Sequence, residues 1–225
     1  IRDKDVVSAT SQPVGTIAFH VCGPTATAVA CTSAAATYTA VSEDAAAKTT
    51  TSTSVTFYSV AFQPTTAGYY CFAADFDGTP PYQDSNDNAT TECIHILPAS
   101  PALSTTPSAT TTWSATLSDS AQVGPGNNPG GSVRFRLYDS LAACNGGSAT
   151  VGTDGLIYEE TVSFTANGTN TRTVSTTGAG TGSNVVSTAG TYEWLAHYSG
   201  DTNNDPNDSA CGDEAETITA ATHSP

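Results

Sequence analysis

The clearest signal along the chain is a period of two. In "GSVRFRLY" Val133, Phe135 and Leu137 alternate with Arg134, Arg136 and Tyr138, and in "GTYEWLAHY" Tyr192, Trp194, Ala196 and Tyr198 form a second apolar row. Successive side chains of a strand point to opposite faces, so such runs predict strands with one row inward. The N-terminal half repeats the pattern with Ile17, Phe19 and Val21, then Tyr70, Phe72, Ala74 and Phe76. Further strands are predicted at 55–62, 91–97, 113–118, 156–165, 170–176 and 215–220. No segment carries a helical stripe. Several short alternating strands per ~100 residues predict an all-β chain whose core is the inward rows of two facing sheets.

The pattern also occurs twice. "GTIAFHV" (15–21) returns as "GSVRFRL" (131–137), and "TTAGYYCFAADFDG" (65–78) returns as "STAGTYEWLAHYSG" (187–200), in the same order. This predicts two copies of one domain, 1–99 and 100–225, joined through the Pro- and Ser-rich "LPASPALSTTPS". Aligning "LSDSAQV" (117–123) with "IRDKDVV" (1–7) leaves the first copy without an equivalent of 101–116, so its opening strand is expected to be missing. Two readings stay open: a chain boundary at this point, or donor-strand complementation, in which a neighbouring subunit supplies the strand and builds a polymer. The second copy ends "ETITAATHSP" much as the first ends "ECIHILPASP", so a third copy is expected to begin where the sequence stops.

Composition narrows the options. Among 225 residues, 6 Lys and Arg face 21 Asp and Glu, a formal charge of −15. A polyanion would be repelled, which argues against nucleic-acid partners. No stretch is apolar enough to insert in a membrane, and no signal peptide stands at Ile1, so the chain reads as a mature or excised extracellular or cell-surface piece. The cysteines are Cys22, Cys31, Cys71, Cys93, Cys144 and Cys211, none in CxxC spacing. An even, widely spaced set in a β-rich chain predicts disulfides in an oxidising compartment. Cys22 and Cys71 fall on the outward phase of neighbouring strands and are expected to bridge. Cys31 is then paired with Cys93, and Cys144 with Cys211, each closure contributing about 3–4 kcal/mol. Four cysteines in the first copy allow three connectivities, so only the Cys144–Cys211 pair is nearly forced.

"GSVRF" followed at long range by "AGTYEWLAHYSGDTNN" resembles the bacterial Ig-like group 3 repeats, with their G-[ST]-V-x-F strand and A-G-T-[HY] strand ending in A-x-Y-S-G-D-x-N. The first copy departs at "AADFDGTPPY". The resemblance implies two tandem, disulfide-bonded immunoglobulin-like β-sandwich domains, strung with copies of themselves or neighbouring Ig-like repeats in an extracellular stalk, adhesin or filament. It implies no catalytic residue.

Candidate chemistry is sparse. Asp201, Asn203, Asp205 and Asn207 alternate in "DTNNDPND", as do Asp84, Asn86 and Asn88 in "DSNDNA", which resembles the opening of a calcium loop. Pro206 stands where an EF-hand needs Gly and Gly212 where it needs Glu, while Asp and Asn are also ordinary turn residues. Calcium is the one cofactor expectation. Sequons mark Asn88, Asn167 and Asn207 as candidate glycosylation acceptors. His20, His95, His197 and His223 share no ligand spacing, no G-x-S-x-G occurs, and Glu159 and Glu160 should face opposite sides of a strand. An enzyme is therefore not expected. Lys4 and Lys48 are the only lysines, which leaves the second copy unable to form a Lys–Asn isopeptide bond. The leading expectation is a structural module. The alternative is an adhesin module contacting glycan or a host surface protein through end loops, with Tyr82 as its one aromatic candidate.

Overall fold

The structure is a computed structural model and describes residues 1–108, 111–112 and 114–220. The chain is nearly all β and divides into two compact units, Ile1–Leu97 and Pro98–Pro225.

In unit 1 the strands are β1 (Lys4–Ser8), β2 (Gly15–Thr25), β3 (Thr39–Val41), β4 (Thr49–Thr50), β5 (Ser54–Tyr58), β6 (Gly68–Gly78), β7 (Ser85–Asp87) and β8 (Cys93–Ile96), with a 3₁₀ turn at Thr90–Glu92. One sheet has the order β1-β5-β4; the other runs β3-β2-β6-β7, with β8 also pairing β6. β2 and β6 are antiparallel from Gly15↔Gly78 to Cys22↔Cys71, with an irregularity before Thr25↔Tyr69. The break falls at Gly23-Pro24, where proline has no N–H to give the ladder. The predicted row Phe19, Ala74 and Phe76 meets Val55 and Phe57 of the opposite sheet, with Val7 and Ile17 packed against them.

The outer face of β2 and β6 is covered as well. Cys22, Cys31, Cys71 and Ala73 form a buried cluster with Ala35, Tyr38 and Cys93. Here the expected disulfide pairing is corrected. Cys22 does lie opposite Cys71, but Cys22 bonds Cys31 and Cys71 bonds Cys93. Each half of the expected pair has a rival that strand phase did not reveal. The chain after β2 folds back over the sheet and brings Cys31 to a Cα–Cα distance of 5.3 Å from Cys22. β8 places Cys93 directly opposite Cys71 on the other flank.

In unit 2 the strands are β9 (Leu103–Pro107), β10 (Thr111–Thr112), β11 (Ala115–Thr116), β12 (Asp119–Val123), β13 (Gly131–Tyr138), β14 (Leu156–Phe164), β15 (Arg172–Ser175), β16 (Thr181–Gly182), β17 (Val185–Val186), β18 (Gly190–Tyr198), β19 (Asn207–Asp208) and β20 (Ala215–Thr219). The large sheet has the order β10-β20-β18-β13-β14-β16, and a three-stranded sheet runs β15-β12-β9. Both predicted rows enter one core: Val133, Phe135, Leu137, Tyr192, Trp194, Ala196 and Tyr198 pack with Leu117, Ala121, Val123 and Val174. Burying aromatics of this size dominates the energetics of a small β domain. The predicted strand at 113–118 is short, Ala115–Thr116, and Trp113 lies outside the described residues.

One helix appears where only strands were expected. α1 (Leu141–Gly146) is capped by Ser140, whose Oγ accepts from the Ala143 N–H, and ends at Gly147 with φ of 69°. Six residues are too few to display a stripe, so its signal is the caps. It carries Cys144, bonded to Cys211 at a Cα–Cα distance of 5.8 Å. Among the described residues no helix is long and apolar enough to cross a membrane.

Candidate functional site

The acidic corner after β18 is a hydrogen-bonded turn centred on Asp201. Its Oδ2 accepts from the Gly130 N–H at 2.6 Å, its Oδ1 from the Asn203 N–H at 2.7 Å, and the Asn204 amide reaches both oxygens. Burial opposes ionisation of Asp201, but the donors from Gly130, Asn204 and Asn203 outweigh it and hold its pKa below the ordinary 3.8. Asn204, which the alternating pattern passed over, is the buried member: its side chain also accepts from the Asn127 N–H and donates to the Asn127 carbonyl. The other candidates point to separate partners. Asp205 accepts from Ser100 Oγ at 2.9 Å, and Asn207 Nδ2 donates to the Pro101 carbonyl at 2.9 Å. In unit 1, Asp84 accepts from the Gly78 N–H. Among the described residues no group of three or more His, Cys, Asp or Glu is arranged to hold a metal ion.

The remaining sequence candidates are dispersed. Asn167 lies exposed between β14 and β15, its Oδ1 accepting from Thr169 Oγ1 at 2.6 Å, whereas the Asn207 amide nitrogen is already engaged. Asn88 is half-buried ahead of the 3₁₀ turn. His20 stacks on Tyr38, His95 stacks on Tyr69, and His197 meets Asp208 at 2.7 Å; His223 lies outside the described residues. Glu159 pairs with Arg136, while Glu160 turns to the other side and takes the Thr177 and Gly178 amides and the Tyr158 hydroxyl. Lys48 Nζ lies 3.8 Å from Glu43, and Tyr82 hydrogen-bonds Ser11 at 2.7 Å.

A set of inward carboxyl groups escaped the pattern reading. In unit 2 Asp119 is 2% exposed, its Oδ1 accepting from the Ser120 N–H at 2.7 Å. Its Oδ2 and the Oε2 of buried Glu214 have no N–H or hydroxyl partner. The two carboxyls face each other, so a proton held between them is what satisfies both. Burial, then the charge of Glu214, pushes Asp119 up to about 7. β9 lends donors: the Thr106 amide to Asp119, the Thr105 side chain to Glu214. Glu216, also buried, takes Ser108 Oγ and, at 3.1 Å, Trp194 Nε1.

Unit 1 repeats the arrangement with fewer donors. Asp3 is 6% exposed, its Oδ1 accepts from the Lys4 N–H at 2.7 Å, and its Oδ2 has no such partner. It faces Glu92, which burial, Asp3 and then Asp87 and Asp5 push up to about 7. The signal was present in the sequence as phase: Asp3 and Asp5 share the inward register of Ile1 and Val7, and Asp119 shares that of Leu117, Ala121 and Val123.

These carboxyls lie beside a difference in strand pairing. β12 is held on one side by β15 and on the other by β9, and β20 is flanked by β18 and β10. In unit 1, β1 pairs β5 and β8 pairs β6, and among the described residues neither has a partner on its other edge. No protein-family model matches the chain, and no curated protein matches it.

Proposed function

We propose that the chain is a non-enzymatic structural module: two Ig-like β-sandwich repeats, similar to bacterial Ig-like group 3 domains, in an extracellular stalk, adhesin or filament. The observation that carries this reading is the covalent stapling of two successive all-β units, with every cysteine among the six in a disulfide. Disulfides persist in oxidising compartments and shorten the length of chain that can be pulled out under load. Strong negative charge adds repulsion between neighbouring molecules at a crowded surface. The partners on this reading are further Ig-like repeats, in line or as separate subunits.

Immunogold electron microscopy of the native material, with antibody against the chain, tests this. Label along rods or filaments projecting from the cell surface is expected. Label confined to the cell interior would refute it.

A further inference from the structure

Unit 1 gathers its cysteines on one face of one sheet. β2 sets Cys22 directly opposite Cys71 of β6, and β6 sets Cys71 directly opposite Cys93 of β8, so the three form a row across adjacent strands. Cys31 folds over that row, and all four cysteines pack into one cluster with Ala35, Tyr38 and Ala73. The neighbours Cys22 and Cys71 nevertheless belong to different disulfides, Cys22–Cys31 and Cys71–Cys93. Opposite residues of antiparallel strands lie about 4.5–5.5 Å apart at Cα, inside the range of about 4.4–6.8 Å over which a disulfide closes. Either sulfur of this pair, once freed, has the other disulfide within reach.

Access to the four sulfurs is unequal. Cys22, Cys31 and Cys71 are 4%, 1% and 1% exposed, whereas Cys93 is half-buried and is followed by Ile94, which is 40% exposed. Cys31 is the one buried residue of the stretch 26–38, which forms neither strand nor helix. A cavity of about 140 Å³ opens beside it, lined also by Ser33, Tyr38 and Asn88. Unit 2 lacks the cysteine row: by strand register Tyr138 stands for Cys22 and Glu193 for Cys71, and these two face each other. Its one bond runs from Cys144, which follows β13 as Cys31 follows β2, to Cys211 in the turn ahead of β20. β20 pairs β18 as β8 pairs β6, so the second repeat joins the two regions that carry Cys31 and Cys93 in the first.

We propose that the two disulfides of unit 1 are an exchange pair, with Cys93 as the site of attack by a small external thiol. The thiolate attacks Cys93 Sγ and the Cys71–Cys93 bond breaks, leaving the thiol joined to Cys93 and the electron pair on Cys71 Sγ. Cys71 then attacks Cys22 Sγ: the Cys22–Cys71 bond forms, the Cys22–Cys31 bond breaks, and Cys31 leaves as the thiolate. Cys31 finally attacks Cys93 and expels the external thiolate, which recovers its proton. Two disulfides stand before and after, so neither oxidant nor reductant is consumed. The direction of the second step follows from burial. Cys71 sits in an apolar cluster that disfavours a thiolate, whereas Cys31 lies on a segment that otherwise faces water. The resting pairing closes separations of 9 and 22 residues and leaves the chain between Cys31 and Cys71 extensible under load. In the exchanged pairing the closures overlap and retain everything from Cys22 to Cys93. This mechanical consequence rests on the function proposed above; the exchange itself does not.

Cys93→Ser isolates the second step without an external thiol, because it leaves Cys71 unpaired beside Cys22–Cys31. After incubation at about pH 8 the free thiol is trapped with a maleimide in acidic denaturant and located by peptide mapping. Label at Cys31 is expected to exceed label at Cys71 about fivefold or more. Label at Cys71 alone would overturn the exchange. In parallel, the unaltered protein is held without oxygen with 2-mercaptoethanol equimolar to the protein. Peptides joining Cys22 to Cys71 and Cys31 to Cys93 are expected, with Cys144–Cys211 unchanged. Mercaptoethanol on Cys93 with Cys22–Cys31 intact would overturn the exchange, even where the serine variant fails to fold. Links between cysteines of the two units would also overturn it, by showing scrambling in an unfolded chain. Exchange in a protein that forms no surface rods or filaments would leave the site standing and remove only its mechanical role.

Discussion

Replacing Asp119 by Asn should stabilise unit 2 at alkaline pH and do almost nothing at pH 4. Asp119 is 2% exposed, and burial together with Glu214 raises it from 3.8 to about 7. A carboxyl raised on folding contributes fully below its unfolded pKa, and that contribution disappears as pH climbs through the folded value. The window is therefore pH 4 to about 7, with the penalty complete above it. At about 1.4 kcal/mol per pH unit the difference amounts to about 4 kcal/mol. The asparagine keeps an oxygen for the Ser120 N–H and offers an N–H to Glu214 Oε2, which has no donor, so a gain of about 2–4 kcal/mol at pH 8 is expected. For a domain of this size that is a rise of roughly 10 °C in the upper transition, read by calorimetry from pH 4 to pH 8. Equal melting shifts at both pH values, or a loss of stability at pH 8, would refute the assignment of a shared buried proton.

Unreduced peptide mapping should recover Cys22 linked to Cys31 and Cys71 linked to Cys93. Removing Cys144 and Cys211 together should cost about 4 kcal/mol, because their bond closes a separation of 67 residues, and should lower the upper melting transition. Asp201→Ala should cost about 1–2 kcal/mol by stranding the Gly130 and Asn203 amides, while calcium or chelator leaves the melting of the unaltered protein unchanged because protein donors already occupy both oxygens. Since Asp201 is depressed on folding, its contribution is present above its ordinary 3.8 and fades as pH falls below that value; a melting difference between variant and parent that grew toward acid pH would contradict this.

Much of what places the elements is local and was written in the sequence. Alternation sets which side chains of a strand share a face, so the rows of Phe19, Phe76, Phe135 and Trp194 could be assigned inward without knowing their neighbours. The same phase marked Asp3, Asp5 and Asp119 as inward acids, but phase alone gives no partner for a charge. Their partners, Glu92 and Glu214, come from distant segments, and only the assembled sheets bring those carboxyls together. Disulfide choice shows the same limit. Register made Cys22 and Cys71 neighbours, yet bonding depends on which third element arrives, and that is fixed by how the chain after β2 folds back and where β8 docks. The sequence by itself determined strand phase and the all-β character, because both depend on residues a few positions apart. Tertiary structure alone decided the cysteine partners of unit 1 and the paired buried carboxyls, because each is a relation between strands that the chain does not place next to one another.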